Sequence, residues 1–396
     1  MPPRVLLLTS AFAPTMGGAE SYARTVAHGL ADAGHDVLVV TDAVAGTPPR
    51  ETDGPIRIIR LGGYRGLLED PSKLPWEQLY FGLLPELADV VSEFGPDLIL
   101  ANSLETTVAG RVVADELSIP LVGAYHEHAP LEEPLGIGKT MLGYRRMAPD
   151  LVLAGSHSYA ARALAHLPAE RVALIHHGVD TDAFTDAPHT APLRQRVRDR
   201  YGIADDDLLV VCAGRLKPRK GQRELIKAFD SLGRPGLRLL LVGGVSSASQ
   251  DYADDLRARA ARVGAPRIQL DESVTVQQMP GILAAADIVA QPSHSEGLGL
   301  SLLEAMSAAR PVIATRIDGF DEVLTEEGLA LRVAPEAPGQ LASALATLCA
   351  DADLRRDLGR RARAHVLARF SLRRMIDRTD ELLRELAVPA TVRGTR

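Results

Sequence analysis

Short, continuous apolar runs that alternate with helix-periodic segments constrain this chain more than any other feature. Val5–Thr9 and Asp36–Thr41 flank residues 20–33, where Val26, Leu30 and Ala33 recur at helical spacing before a stop at Gly34. A short run with no polar alternation is what a parallel strand buried on both faces requires. Comparable runs follow at Asp97–Ala101, Pro120–Tyr125, Leu151–Ala154 and Val172–Ile175. The alternation then restarts at Leu208–Ala213, Leu237–Gly244, Ile288–Ala290 and Pro311–Thr315. Strand–helix alternation of this kind predicts parallel sheets with right-handed crossovers. The second half repeats the first in organisation but not in sequence.

The 396 residues suffice for two domains with sizeable cores. A hydrophobic content of 46% with 24% charged residues is that of a soluble globular chain. A net charge of −7 opposes general nucleic-acid binding. It also disfavours docking on an anionic membrane, although a local basic patch leaves peripheral contact open. Cys212 and Cys349 stand far apart without metal-ligand spacing, and Cys212, inside an apolar run, reads as a buried reduced thiol. The four apolar residues before Thr9 are too few for a signal peptide. No run is long enough to span a bilayer. The expectation is a cytoplasmic protein.

The stretch from Asp287 to Thr315 carries the densest chemistry. It reads as a buried strand, a loop closed by Pro292, a helix opening near Gly299 and a second strand. Glu296 and Glu304 lie eight positions apart, separated by Gly297 and Gly299, which permit close approach of a ligand to the backbone. A helix start fed by glycines offers free amides and a positive dipole end to an anion. Carboxylates on either side of that start are suited to accept hydrogen bonds from hydroxyl groups. Anion plus hydroxyls describes a nucleotide-sugar, while an ordinary capped crossover with solvated glutamates is the plainer alternative. Gly214 to Gly221, GRLKPRKG, puts four cations in six positions just after the strand at Leu208–Ala213. A diphosphate needs such neutralisation, and a guanidinium grips two oxygens at once. Gly243 and Gly244 suit a turn beneath a base or ribose. Gly17 and Gly18, beyond the first strand, suit either amide contacts to a phosphate or sugar or a plain tight turn.

Three further features are open at this level. His126, in His126-Glu127-His128, stands at the carboxyl end of a strand and reads as a cleft residue, a structural histidine or, without a third partner, a poor metal ligand. Lys139, Arg145 and Arg146 suit an anionic acceptor or lipid head group, or a solvated face. Residues 45–80 read as irregular excursion loops with a helix, carrying Tyr64, Trp76 and Tyr80. Residues 185–206 are polar, contain Pro188 and Pro192, and read as a linker. Residues 340–387 are helical and amphipathic, and 388–396 read as a disordered tail.

EGLGLSLLEAM, followed by PVIAT, resembles the glutamate–seven residues–glutamate signature of the retaining GT-B glycosyltransferases of family 4. GGAE at Gly17–Glu20, GRLKPRKG and GVD at Gly178–Asp180 match that family in the expected order, so the resemblance spans residues 4–385. It implies an α/β protein of GT-B fold, two doubly wound Rossmann-like domains facing each other across a cleft. The corresponding division is an acceptor-binding domain (1–185), a nucleotide-sugar domain (186–368) and a terminal helix returning to the first domain with a tail (369–396). The implied activity is metal-independent hexosyl transfer from UDP or GDP sugar to a hydroxyl of a small-molecule, saccharide or natural-product acceptor. No cofactor beyond the co-substrate is implied, and the chain is expected as a monomer or homodimer. The implied catalytic set is His126, Arg215, Lys220 and Glu296. The donor would meet Gly17, Gly18, Gly214, Gly243, Gly297, Leu298, Gly299, Leu300 and Glu304. Within that scheme Arg215 and Lys220 hold the diphosphate, Glu304 the ribose, and Glu296 the donor sugar; Lys217 and Arg219 have no assignment. The chain departs from the family at His176-His177, at Glu272 and Ala309 where glycines are frequent, and at Asp318–Val323. Two other readings remain: a non-catalytic sugar-nucleotide-binding protein, or a nucleotide-sugar epimerase on the same fold.

Overall fold

A computed structural model describes residues 2–15, 18–62, 82–124, 145–186, 190–246, 249–264 and 266–387. The chain divides into two compact units, one of residues 1–176 with 375 onward, the other of residues 177–374. The sequence alone places this division after residue 185. The chain changes unit earlier because Val179 bridges to Ser371, so that the residues after Gly178 pair within the second unit.

Among the described residues the first unit is built on eight strands: β1 (Arg4–Leu8), β2 (Asp36–Asp42), β3 (Arg50–Asp53), β4 (Ile56–Leu61), β5 (Leu98–Ala101), β6 (Leu121–Ala124), β7 (Leu151–Ala154) and β8 (Val172–Leu174). Their order is β3-β4-β2-β1-β5-β6-β7-β8, and only β3 runs antiparallel to its neighbour. The β3–β4 hairpin corrects the reading of residues 45–80 as irregular. Its turn uses Gly54 at φ +58°, and β3 is too polar and exposed to register as an apolar run. Residues 375–387 of the last helix (Leu372–Ala387) pack in this unit. His35 meets Asp380 at 2.5 Å, Arg384 donates to the Ala33 carbonyl at 2.9 Å, and Ile376 covers Gly29.

The second unit holds six parallel strands: β9 (Leu208–Ala213), β10 (Leu237–Val242), β11 (Ile268–Asp271), β12 (Ile288–Gln291), β13 (Val312–Thr315) and β14 (Leu331–Val333). Their order is β11-β10-β9-β12-β13-β14. Both faces are covered, which explains the continuous apolar runs. Leu209, Val211 and Ala213 enter one core, and Val210 and Cys212 enter the other. Both cysteines are free and buried.

The segment read as a linker is part of this second unit. Ala191–Tyr201 is a helix whose Arg198 is buried. Arg198 donates to Asp287 at 3.2 Å and to the Asp207 carbonyl at 2.8 Å, while Arg194 meets the other Asp287 oxygen at 2.9 Å. A polar-looking helix is therefore anchored by charge rather than by an apolar stripe. Removing one member of a buried pair strands its partner and costs roughly 3–5 kcal/mol. Arg198→Ala is expected to lower the stability of the second unit by about 3 kcal/mol in urea unfolding. The more exposed Arg194→Ala is expected to cost under about 1 kcal/mol. Equal losses would show that Arg198 is not the anchor.

Candidate functional site

In the second unit the chain winds outward from β9 through β10 and β11, and in the other direction from β12 through β13 and β14. The carboxyl ends of β9 and β12 are therefore a topological switch point, where open α/β sheets form a ligand-binding crevice. The loop from Gly214 to Gly221 leaves one strand and the loop from Pro292 to Gly299 leaves the other. Most of the second-unit site residues expected from sequence lie on these two loops.

The loops are joined by charge. Lys220 Nζ lies 2.5 Å from Glu296 Oε1, and Arg219 Nη1 lies 3.1 Å from Glu296 Oε2. Ser293 Oγ donates to Oε1 at 2.7 Å, and Arg219 Nη1 also donates to the Ser295 carbonyl at 2.8 Å. Side-chain exposures of 11% for Lys220 and 7% for Glu296 show that the pair is largely withdrawn from water. Burial pushes the Glu296 carboxyl up, but the Lys220 charge and hydrogen bond, then Arg219 and Ser293, outweigh it and hold it below the usual range. Glu296 is a carboxylate near neutral pH.

Backbone geometry brings the loops this close. Gly221 has φ +67°, and a Cβ there would stand 2.0 Å from the Pro292 carbonyl oxygen, so a side chain would drive the loops apart. The His294 amide donates to the Arg219 carbonyl at 2.7 Å, and Gln291 Nε2 to the Ala213 carbonyl at 3.2 Å. From the other side Gly319 packs so closely that its Cβ would lie 2.4 Å from the Glu296 carbonyl oxygen. Gly319 belongs to the Asp318–Val323 stretch that departs from the family pattern, yet it supports the Glu296 loop.

Gly243, Gly244 and Asp271 extend the same rim. The Gly243 amide donates to the Asp271 carbonyl at 3.2 Å, and the Leu216 amide to the Gly244 carbonyl at 3.1 Å. Glu272, at a frequent glycine position, is turned into an ion pair with Arg257. Gln222 Nε2 donates to the Arg215 carbonyl at 3.1 Å, and Gln222 Oε1 accepts from the Tyr252 hydroxyl at 3.1 Å. Arg215 is exposed. Lys217 is held below the usual lysine range, first by the Arg215 charge, then by burial and by Arg219, which marks unneutralised positive potential on this loop.

Gly297, Leu298 and Gly299 are buried beneath the helix Leu300–Ser307. Gly299 caps that helix with no side-chain hydrogen bond, so the opening amides keep the vacancies every helix start has. Glu304, inside the second turn, has no bonded cation among the described residues. Burial pushes its carboxyl up to about 7, with the Lys220 charge opposing. The two glutamates of one motif thus sit in opposite environments.

In the first unit Gly18 opens the helix Gly18–Asp32 at an exposed position. Asn102, after β5, donates to the Ala19 carbonyl at 2.9 Å, and buried Arg60 donates to the Ala13 carbonyl at 2.6 Å. Gly17, His126 and Lys139 lie outside the described residues; Arg145 and Arg146 are exposed. Sequence reasoning brought out Lys220, Glu296 and the glycines around them but missed Arg219, Ser293 and Gly319. The one signal for Arg219 was its place in the basic run, which does not say what the side chain meets. No helix among the described residues is long and apolar enough to cross a membrane.

The family model described as Glycosyltransferase Family 4 matches residues 16–183, and that described as Glycosyl transferases group 1 matches residues 194–365. The chain is 29% identical to a D-inositol 3-phosphate glycosyltransferase of Xylanimonas cellulosilytica, over 94% of this chain and 93% of the relative. Among solved structures, Anabaena HepE in complex with UDP and glucose superposes with a TM-score of 0.77 at 24% identity, over 97% of this chain and all of that one. Sucrose-phosphate synthase from Thermosynechococcus elongatus superposes with a TM-score of 0.81 at 23% identity, over 97% and 99%. The fold is that of the GT-B glycosyltransferases.

The raised Glu304 carboxyl has a consequence for stability. A carboxyl that titrates near 7 when folded and near 4.5 when unfolded holds its proton more tightly in the native state. Stability from this group is full below about pH 4.5 and is lost as pH rises through 7. Glu304→Gln is expected to match wild type near pH 4.5 and to gain about 2–3 kcal/mol at pH 8, since each tenfold difference in proton affinity is worth roughly 1.4 kcal/mol. Urea unfolding at the two pH values tests this, and a pH-independent difference would refute it.

Proposed function

Because this chain belongs to glycosyltransferase family 4, and so is a glycosyltransferase, we propose that it transfers a hexose from a nucleotide diphosphate to a hydroxyl with retention of configuration. The observation that carries this reading is the Lys220–Glu296 pair at the switch point of the second unit, with Arg215 exposed beside it. Cations at this place suit a diphosphate, and carboxylates suit the hydroxyls on either side of it. Arg215, Lys220 and the amides at Gly299 and Leu300 hold the leaving diphosphate. Glu304 accepts hydrogen bonds from ribose hydroxyls, and Glu296 from hydroxyls of the sugar. Gly214 and Gly243 let the backbone lie close beneath the nucleotide. Gly17, Gly18 and His126 keep the donor-side roles that the resemblance gives them.

The acceptor oxygen forms its bond to the anomeric carbon on the face from which the phosphate oxygen leaves. That departing oxygen takes the acceptor proton, so no protein nucleophile is required. The reading includes independence of a metal ion, because the cationic loop supplies the charge that a metal would. UDP is the favoured carrier, supported by the UDP held by the similar HepE structure. The acceptor is a small polyol or related hydroxyl compound, supported by the relatives named for D-inositol 3-phosphate.

A thermal-shift panel of UDP, GDP, ADP and TDP against wild type and Arg215→Ala tests the donor. A nucleotide at about 100 times its dissociation constant stabilises by roughly 2.7 kcal/mol. UDP is expected to raise the melting temperature with or without EDTA, and Arg215→Ala is expected to abolish the rise. No shift with any diphosphate would sink the donor reading. A β-linked product from an α-linked donor, seen by NMR, would sink retention.

A further inference from the structure

Arg219 has no assignment in the family scheme, yet its guanidinium joins both loops of the switch point. Nη1 lies 2.8 Å from the Ser295 carbonyl oxygen and 3.1 Å from Glu296 Oε2, while the Arg219 carbonyl accepts from the His294 amide at 2.7 Å. The Glu296 carboxylate is shared: Oε1 takes Lys220 and Ser293, and Oε2 takes Arg219. We propose that Arg219 is the positioning residue for Glu296, holding its carboxylate in place and charge-compensated when Lys220 turns to an incoming phosphate. This rests on the donor reading above.

Glu296 and an incoming phosphate compete for the Lys220 ammonium. A single ammonium that serves Glu296 in the free protein loses strength there when it also serves a diphosphate. Without Arg219, Glu296 would then keep only the Ser293 hydroxyl, leaving a nearly buried carboxylate with one neutral donor. Such a group relaxes or takes up a proton, and either outcome spoils its hold on sugar hydroxyls. With Arg219, Oε2 keeps a charged donor that is itself fixed to the Ser295 carbonyl. Both contacts are made by Nη1, whose two N–H bonds are held in fixed directions by the planar guanidinium, whereas an ammonium on a flexible stem has no such fixed geometry. The consequence is selective: Arg219 matters for the sugar moiety, whose hydroxyls Glu296 meets, and little for the nucleotide.

The test is calorimetric binding of UDP and of UDP-glucose, with GDP and GDP-mannose as a second pair, to wild type, Arg219→Ala and Arg219→Lys. Hydrolysis of the sugar nucleotide without acceptor serves as the rate readout. Arg219→Ala is expected to bind the free diphosphate within about 2-fold of wild type. It is expected to bind the sugar nucleotide at least about 10-fold more weakly and to lower kcat for hydrolysis by a similar factor. Arg219→Lys is expected to recover part of both. Equal losses for diphosphate and sugar nucleotide, or none for either, would overturn the assignment to Glu296. If wild type binds neither pair, the donor reading itself fails and the proposal with it. A general folding defect in Arg219→Ala would appear as a lowered melting temperature that Arg219→Lys restores without restoring selectivity, and that result also overturns it.

Discussion

The ion pair between Lys220 and Glu296 is the interaction on which the second unit's site depends. It ties the loop after β9 to the loop after β12, and it does so with both partners almost out of water. Buried pairs of this kind rarely add net stability, because desolvation offsets much of the attraction. A pair of well-packed apolar residues would hold the loops equally well. What the charges add is a cation and a carboxylate at fixed positions in a crevice, ready for partners of opposite character. The neighbouring glutamate sharpens the point. Glu296 is surrounded by donors and stays ionised, whereas for Glu304 burial outweighs the Lys220 charge and pushes the carboxyl to about 7. Two carboxyls one helix start apart thus offer a firm anionic acceptor and one whose charge responds to its ligand.

Close approach of backbones makes this arrangement possible. Gly221, Gly243 and Gly319 each stand where a Cβ would fall within 2.4 Å of a carbonyl oxygen of another loop. The three contacts cinch the crevice from the β9, β10 and β13 sides, so that Arg219 and Lys220 on one loop meet Glu296 on the other. Gly319 shows that a departure from a family pattern need not be a loss. The stretch around it lacks a double glycine, but the one glycine that must lie against the Glu296 backbone is present.

The sheets were legible in the sequence because both faces are buried and the strands read as unbroken apolar runs. β3 and the helix Ala191–Tyr201 were not, for a shared reason. Neither rests on an apolar pattern: β3 is an exposed edge of charged residues, and the helix is anchored by Arg194 and Arg198 on Asp287. A charge that is buried by pairing looks the same in one dimension as a charge left in solvent. The site divides along the same line. Lys220, Glu296 and Glu304 were legible from residue type and spacing. The holding role of Arg219 exists only once two loops from strands about 80 residues apart are brought together, and that of Ser293 depends on how the loop after β12 folds back on itself.

That distinction also explains why an acidic chain keeps a basic loop. Of the four cations between Arg215 and Lys220, two are engaged by Glu296, and Lys217 is held down by its neighbours rather than relieved by an acid. Arg215 is exposed with its backbone braced by Gln222. The protein has thus neutralised the half of the loop that must hold a carboxylate and left the other half positive. The helix Leu300–Ser307, which follows the Glu296 loop, adds its opening amides and the positive end of its dipole to the crevice. A net charge of −7 spread over the whole chain leaves room for such a local positive field, since exposed charges farther away than a Debye length are largely screened. An anion gains most here when it meets the exposed Arg215 and the unneutralised Lys217, the two cations of the loop that Glu296 does not engage.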